Sequence, residues 1–188
     1  MAINLSKGQK VSLNKGVKLA LVGLGWDTNR YSGGYDFDLD ACAFLLGANG
    51  RVPCDEDFVF YGNQSHKSGS VLHGGDNRTG AGEGDDEQIT VDLSRIPPQI
   101  GRLVFVVNIY DASARGQHFG MIRNAFIRLV DMSNENEICR FNLSEDYTGM
   151  TGMVVGEIYR RNGEWKFNAI GSGVAQASRL SSLVDMYR

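Results

Sequence analysis

The densest acidic stretch of the chain is Gly74-Gly-Asp-Asn-Arg-Thr-Gly-Ala-Gly-Glu-Gly-Asp-Asp-Glu87. In it Asp76, Glu83, Asp85, Asp86 and Glu87 stand against Arg78 alone, a net charge of −4. Carboxylates this close repel one another unless a cation neutralises them. Hard oxygen donors suit Ca²⁺, which takes six to eight oxygens in flexible geometry. Asp76, Asn77, Asp85, Asp86 and Glu87 offer side-chain oxygens. The glycines let the backbone turn sharply, so that Gly80 and Gly82 can aim carbonyls inward. Asp76 and Glu87 stand at positions 1 and 12 of an EF-hand-length window, but Arg78, Gly80 and Ala81 break the ligand order at positions 3, 5 and 6. The stretch is a calcium loop of another kind, and the competing reading is a solvated loop.

A second acidic set is Asp36-Phe-Asp-Leu-Asp40. On a strand, alternation puts Asp36, Asp38 and Asp40 on one face and Phe37, Leu39 and Ala41 on the other. Such a row is self-repelling without a cation. Its competing reading is an edge strand that uses charge against aggregation. Asp27 ends the preceding apolar run and lies near the row if the two runs form a hairpin. Shared cations explain both clusters if strand and loop meet at one end of the fold. The expectation is that at least one of Asp36, Asp38 and Asp40 shares an ion or ion pair with Asp76 and Asp85.

The elements that must position these residues are short β-type runs between turn signals. They are Ile3–Leu5, Val11–Leu13, Lys18–Leu24, Phe37–Leu46, Phe58–Tyr61, Val71–Leu72, Ile89–Leu93, Leu103–Tyr110, Ala125–Val130, Glu137–Phe141, Met153–Tyr159 and Trp165–Ile170. Their number and spacing predict an all-β fold, a two-sheet antiparallel β-sandwich, as one domain over residues 1–188. Twenty-four glycines against three prolines fit many tight turns. Val174, Ala177, Leu180, Val184 and Tyr187 recur at helical steps and predict a short C-terminal helix. Asp92-Leu-Ser-Arg-Ile-Pro-Pro suggests one helical turn, ended by its prolines. Leu5-Ser-Lys-Gly recurs as Leu13-Asn-Lys-Gly. A larger repeat relates Leu21-Val-Gly-Leu-Gly-Trp-Asp27 to Val106-Val-Asn-Ile-Tyr-Asp111. In each, thirteen residues separate the aspartate from a strand start, Asp40 in one case and Asn124 in the other. This reads as two related β-units facing each other.

Other chemistries find little support. The net charge is −3 overall and the acidity is concentrated in the two clusters, which argues against nucleic acid as a partner. His66, His73 and His118 with Cys42, Cys54 and Cys139 lack zinc spacing. There is no Gly-x-Ser-x-Gly elbow and no Walker loop. An odd set of scattered cysteines, together with a start free of a long apolar run, points to a reducing cytoplasm. The sequons at Asn63, Asn77 and Asn142 are then chance matches. No run is long enough for insertion in a membrane.

Gly23-Leu-Gly-Trp-Asp, Asp36-Phe-Asp-Leu-Asp-Ala, Phe58-Val-Phe-Tyr, Gly75-Asp-Asn-Arg-Thr-Gly, Gly84-Asp-Asp-Glu, Ile109-Tyr-Asp-Ala, Phe119-Gly and Gly163-Glu-Trp-Lys-Phe, in this order, resemble the TerD family of tellurium-resistance and general stress proteins. The resemblance runs from about Ile3 to Ile170. It implies a β-sandwich, calcium at an acidic end, a cytoplasmic location and a role in resisting tellurite and other stress, with no known catalytic activity. Implied partners are other tellurium-resistance and stress proteins, a membrane-bound one among them. The expectation is a calcium-binding stress protein that is not an enzyme. The alternative is a metal-dependent, hydrolase-like enzyme using an open site on the ion.

Overall fold

The computed structural model describes residues 2–13, 16–28, 34–75, 78–79, 84–143, 145–177 and 179–188. Twelve strands are defined: β1 (Ile3–Leu5), β2 (Lys10–Ser12), β3 (Leu19–Gly25), β4 (Leu39–Leu46), β5 (Phe58–Val59), β6 (Val71–His73), β7 (Glu87–Asp92), β8 (Arg102–Ile109), β9 (Phe126–Asp131), β10 (Asn136–Asn142), β11 (Gly152–Arg161) and β12 (Glu164–Val174). Two short helices, α1 (Ala112–Arg115) and α2 (Leu180–Val184), accompany them. The strands form two six-stranded sheets, ordered β1-β10-β9-β3-β7-β6 and β2-β12-β11-β8-β4-β5. All named pairs are antiparallel except β1, which runs parallel to β10. The sandwich is therefore as expected, with one parallel edge. Among the described residues no helix is long and apolar enough to cross a membrane.

The inner faces alternate as a pleat requires. Val22 and Leu24 of β3, Ile127 and Leu129 of β9, Ala41, Ala43 and Leu45 of β4, and Phe105 and Val107 of β8 share one buried core. Strand β4 is buried along its whole length. Its other face carries Cys42, Phe44 and Leu46, which pack with Val104, Val106 and Val154 under Ala177 and Leu183. This second layer explains why Leu39-Asp-Ala-Cys-Ala-Phe-Leu-Leu46 reads as a nearly continuous apolar run.

Three expectations about elements are corrected. The C-terminal helix is shorter than its periodicity, because β12 keeps its ladder with β11 through Val174. The Asp92–Pro98 stretch makes turns, not a helical one. Asp36, Asp38 and Asp40 do not form one row: β4 begins at Leu39, Asp36 is exposed ahead of it, and Asp38 and Asp40 are buried. The aspartates lie at a crossover into an interior strand, so an edge-strand role is excluded for them.

The internal repeat has a structural counterpart. The β3–β4 unit crosses from the first sheet to the second, and the β8–β9 unit crosses back. Strand β3 pairs with β9 and β4 pairs with β8, so the units embrace reciprocally.

Candidate cation site at the crossover end

Three strand registers fix where the loops go. Leu39 pairs with Ile109, Gly25 with Phe126, and Leu24 with Glu87. The C-terminal ends of β3 and β8 and the N-terminal ends of β4, β7 and β9 therefore lie at the same end of the sandwich. Trp26 Nε1 donates to the Phe37 carbonyl at 3.2 Å and closes the first crossover on itself. The two crossovers also bind each other. Asp27 N donates to the Arg123 carbonyl at 3.0 Å, and Tyr110 N donates to the Asp38 carbonyl at 2.8 Å.

Asp38, Asp40, Tyr61, Arg78 and Tyr110 line one cleft of about 200 Å³. Asp38 and Asp40 are only 5% and 4% exposed. Two carboxylates so far from water need compensation. Arg115 Nη1 lies 3.6 Å from Asp38 Oδ2, and Asn108 Nδ2 lies 3.5 Å from Asp40 Oδ2. Arg78 of the Gly-rich segment lines the same cleft. Asn108 is 1% exposed, yet its Oδ1 has no hydrogen-bond partner. A buried amide oxygen without a partner is uncommon, and a turn of the Asn108 amide would bring this oxygen to Asp40, where a hard cation could use it. Asp38, Asp40 and Asn108 thus supply an all-oxygen donor set that fits Ca²⁺ in kind, though fewer oxygens than the ion takes.

Glu87 lies deeper. It is 2% exposed, with Oε2 3.3 Å from His73 Nε2, and the same nitrogen lies 3.0 Å from the Ala41 carbonyl. Burial works against charge on His73, but the hydrogen bond and charge of Glu87, with the Ala41 carbonyl and the charge of Asp40, together outweigh it and the His73 pKa is raised.

Across the pseudo-symmetric crossover a larger cleft of about 910 Å³ includes Trp26, Asp27, Asp86, Arg123 and Asn124. Asn124 Nδ2 donates to Asp27 Oδ2 at 2.9 Å, and Trp26 N donates to Asp86 Oδ2 at 2.9 Å. Burial raises the Asp86 pKa; the Trp26 hydrogen bond opposes this, and Asp85 and Asp27 add to it.

Asp85 has another role. Both of its oxygens accept from Arg128, at 2.7 Å from Nε and 2.9 Å from Nη2, and its side chain is 0% exposed. It packs over Gly23, where any Cβ would collide with the carboxylate. Gly23 points away from the core between Val22 and Leu24, so Asp85 sits on the outer face of the first sheet, not in the cleft of Asp38. Of the expected ligands, the structure thus joins Asp38 with Asp40, and Asp27 with Asp86. It leaves Asp36 exposed and gives Asp85 to Arg128. Asp76, Asn77, Gly80 and Gly82 lie outside the described residues. Among the described residues no group of three His, Cys, Asp or Glu side chains forms a metal-holding cluster.

Sequence reasoning missed Asn108, Tyr110 and Arg115. Asn108 does carry a signal, as the one polar residue in Leu103-Val-Phe-Val-Val-Asn-Ile109. Arg115 carries none, because its place depends on α1.

A crossover sandwich with an acidic loop end is the class the geometry defines. The TerD domain family model matches residues 1–187, and the chain belongs to the TerD family. It is 53% identical over 190 residues to the tellurium resistance protein TerD of Serratia marcescens, covering 100% of this chain and 97% of that one. It is 53% identical to general stress protein 16U of Bacillus subtilis (strain 168), covering 92% and 91%, and 58% identical to the uncharacterized protein YceE of the same organism, covering 92% of each. A crystal structure of a TerD homologue from Streptomyces coelicolor A3(2) has the same fold, with a TM-score of 0.74 at 24% identity, covering 92% of this chain and 99% of that one. The chain is thus of the tellurium-resistance and general stress type.

Proposed function

We propose that this protein binds Ca²⁺ at the crossover end and acts in stress resistance by presenting that end to partner proteins. The observation that carries the reading is the convergence of Asp38, Asp40 and Arg78 on one cleft, with the Asn108 amide, whose oxygen has no partner, against Asp40. Asp38, Asp40 and Asn108 would hold the ion, with further oxygens from the Gly-rich segment that Arg78 brings there. The ion would supply the charge that lets these buried carboxylates stay ionised. Exposed Tyr35, Tyr61 and Tyr110 lie around the carboxylates, and tyrosine is enriched in binding hot spots. The partners of this reading are other tellurium-resistance and stress proteins, a membrane-bound one included, and its place is the cytoplasm. The cleft pairs its carboxylates with arginine and amide rather than with a poised base and nucleophile, which favours binding over hydrolysis.

Calorimetric titration of chelator-stripped protein tests the reading. The expected result is Ca²⁺ binding preferred over Mg²⁺, because a flexible many-oxygen site suits the larger ion. Equal affinity for the two ions, or no binding, would overturn it.

A further inference from the structure

Two arginines at this end hold aspartates in different ways. Arg128 grips Asp85 with two short bonds, at 2.7 and 2.9 Å, in the bidentate geometry of a fixed pair. Arg115 only leans on Asp38, with a single closest approach of 3.6 Å, longer than a charge-assisted hydrogen bond. Its guanidinium has another support. It lies 5.4 Å from the ring centre of Tyr35 and 5.1 Å from that of Tyr110, within cation–π range of both. Those two residues are 66% and 46% exposed, while the Arg115 side chain beneath them is 17% exposed.

The backbone is shaped to deliver it. Helix α1 is a single turn that starts at Asp111 with φ 52° and ends at Gly116 with φ 62°. A non-glycine residue in the left-handed region is strained, and such strain persists where the surroundings demand it. Here it turns the chain out of β8 at once, so that four residues later Arg115 faces Asp38.

We infer that Arg115 is a built-in competitor for the cation cleft: its guanidinium and a divalent ion contend for Asp38, and Arg115 thereby sets the ion affinity. This rests on the reading of the cleft as a calcium site. An ion on Asp38 would lie within a few ångströms of the guanidinium, where like charges repel strongly in a partly desolvated site. Arg78 lines the cleft and Arg115 reaches Asp38, so a divalent ion entering there meets two cations already beside the carboxylates. Arg115 has the long contact to Asp38 and already rests on two rings that can hold it when it leaves. Ion entry is then read out at the Tyr35–Tyr110 rim, the surface proposed to meet partners.

The test is calcium titration of the chelator-stripped full chain by calorimetry, with tyrosine fluorescence in parallel, for wild type, R115Q and R115M. Both variants remove the charge and keep a flexible side chain, one polar and one apolar, so a folding defect in one leaves the other to decide. The expected result is Ca²⁺ binding about tenfold tighter in the neutral variants, with the calcium-induced tyrosine signal lost. Unchanged or weaker binding in a folded variant overturns the inference and makes Arg115 a brace for the crossover. If wild type itself binds no Ca²⁺, the calcium reading falls, and this inference with it.

Discussion

The two crossovers differ at the point where each enters its second sheet. The β3–β4 crossover arrives with Asp38 and Asp40, both buried, and meets Asn108 and Tyr110 of the opposite unit. The β8–β9 crossover arrives with Ile122 and Asn124 and meets Trp26 and Asp27. At the repeat position an amide, Asn124, stands where the first crossover has the carboxylate of Asp40. That single change alters the chemistry. Asn124 donates to Asp27 at 2.9 Å, while Asp40 is itself a buried carboxylate and lies 3.5 Å from the Asn108 amide. One crossover places an amide at the repeat position, and the other a buried carboxylate. A duplicated scaffold can thus carry different charge at its two crossovers.

This contrast can be broken by substitution. The largest effect is expected from Asp38→Asn or Asp40→Asn, each lowering Ca²⁺ affinity by about a hundredfold, since each removes a charged oxygen that the cleft cannot replace. Asp38→Asn with Asp76→Ala should be non-additive, as neighbours in one network are. Additive losses in that cycle would separate the two acidic segments.

Next in size is Gly23→Ala, expected to cost about 3 kcal/mol in denaturant unfolding by forcing the buried Asp85 off Arg128. Asp85→Ala should cost a similar amount, and the double variant little more. If Asp85→Ala instead leaves stability intact and removes calcium binding, Asp85 belongs to the ion and the comparison is wrong.

Calcium itself should stabilise the fold by about 2.7 kcal/mol at one hundred times its dissociation constant. Melting with and without chelator reads this, and an unchanged melting temperature at millimolar Ca²⁺ speaks against an ion held in the fold. Asp27→Asn in the other crossover should shift calcium affinity no more than about threefold, through loss of a distant charge. A larger loss would make both crossovers parts of one ion site.

The smallest effect lies away from both clefts. Burial works to raise the Asp57 pKa, but its bonds to His66 and Cys54 and the nearby Lys67 outweigh this and lower it. A carboxylate with a lowered folded pKa adds stability that is present above the unfolded value of 3.8 and lost as pH falls through the folded one. Asp57→Asn should therefore flatten the acid limb of a pH–stability curve below about pH 4, and an unaltered limb would show that Asp57 contributes nothing there.

Much of the fold was legible in the residues. The alternation of Phe126–Asp131 and the recurrent apolar runs specify strands, because a half-buried pleat selects for period two. The repeat of Asp27 and Asp111 marked the two crossing units. The acidic end was legible too, since like charges at short spacing demand a counter-charge wherever the chain goes.

Orientation was not legible. The period-two expectation for Asp36, Asp38 and Asp40 failed because the strand starts only at Leu39, a boundary set by pairing with Ile109 of a distant segment. Asp85 and Asp86 are adjacent in sequence yet face Arg128 and Trp26. What the sequence by itself determined was which residues carry charge and where apolar periodicity makes strands. What only the tertiary structure decided was the partner of each charge: Arg128 for Asp85, His73 for Glu87, Arg115 for Asp38. These pairs join segments far apart in the chain, and their strength depends on distance and on exclusion of water, neither of which exists until the sheets pack.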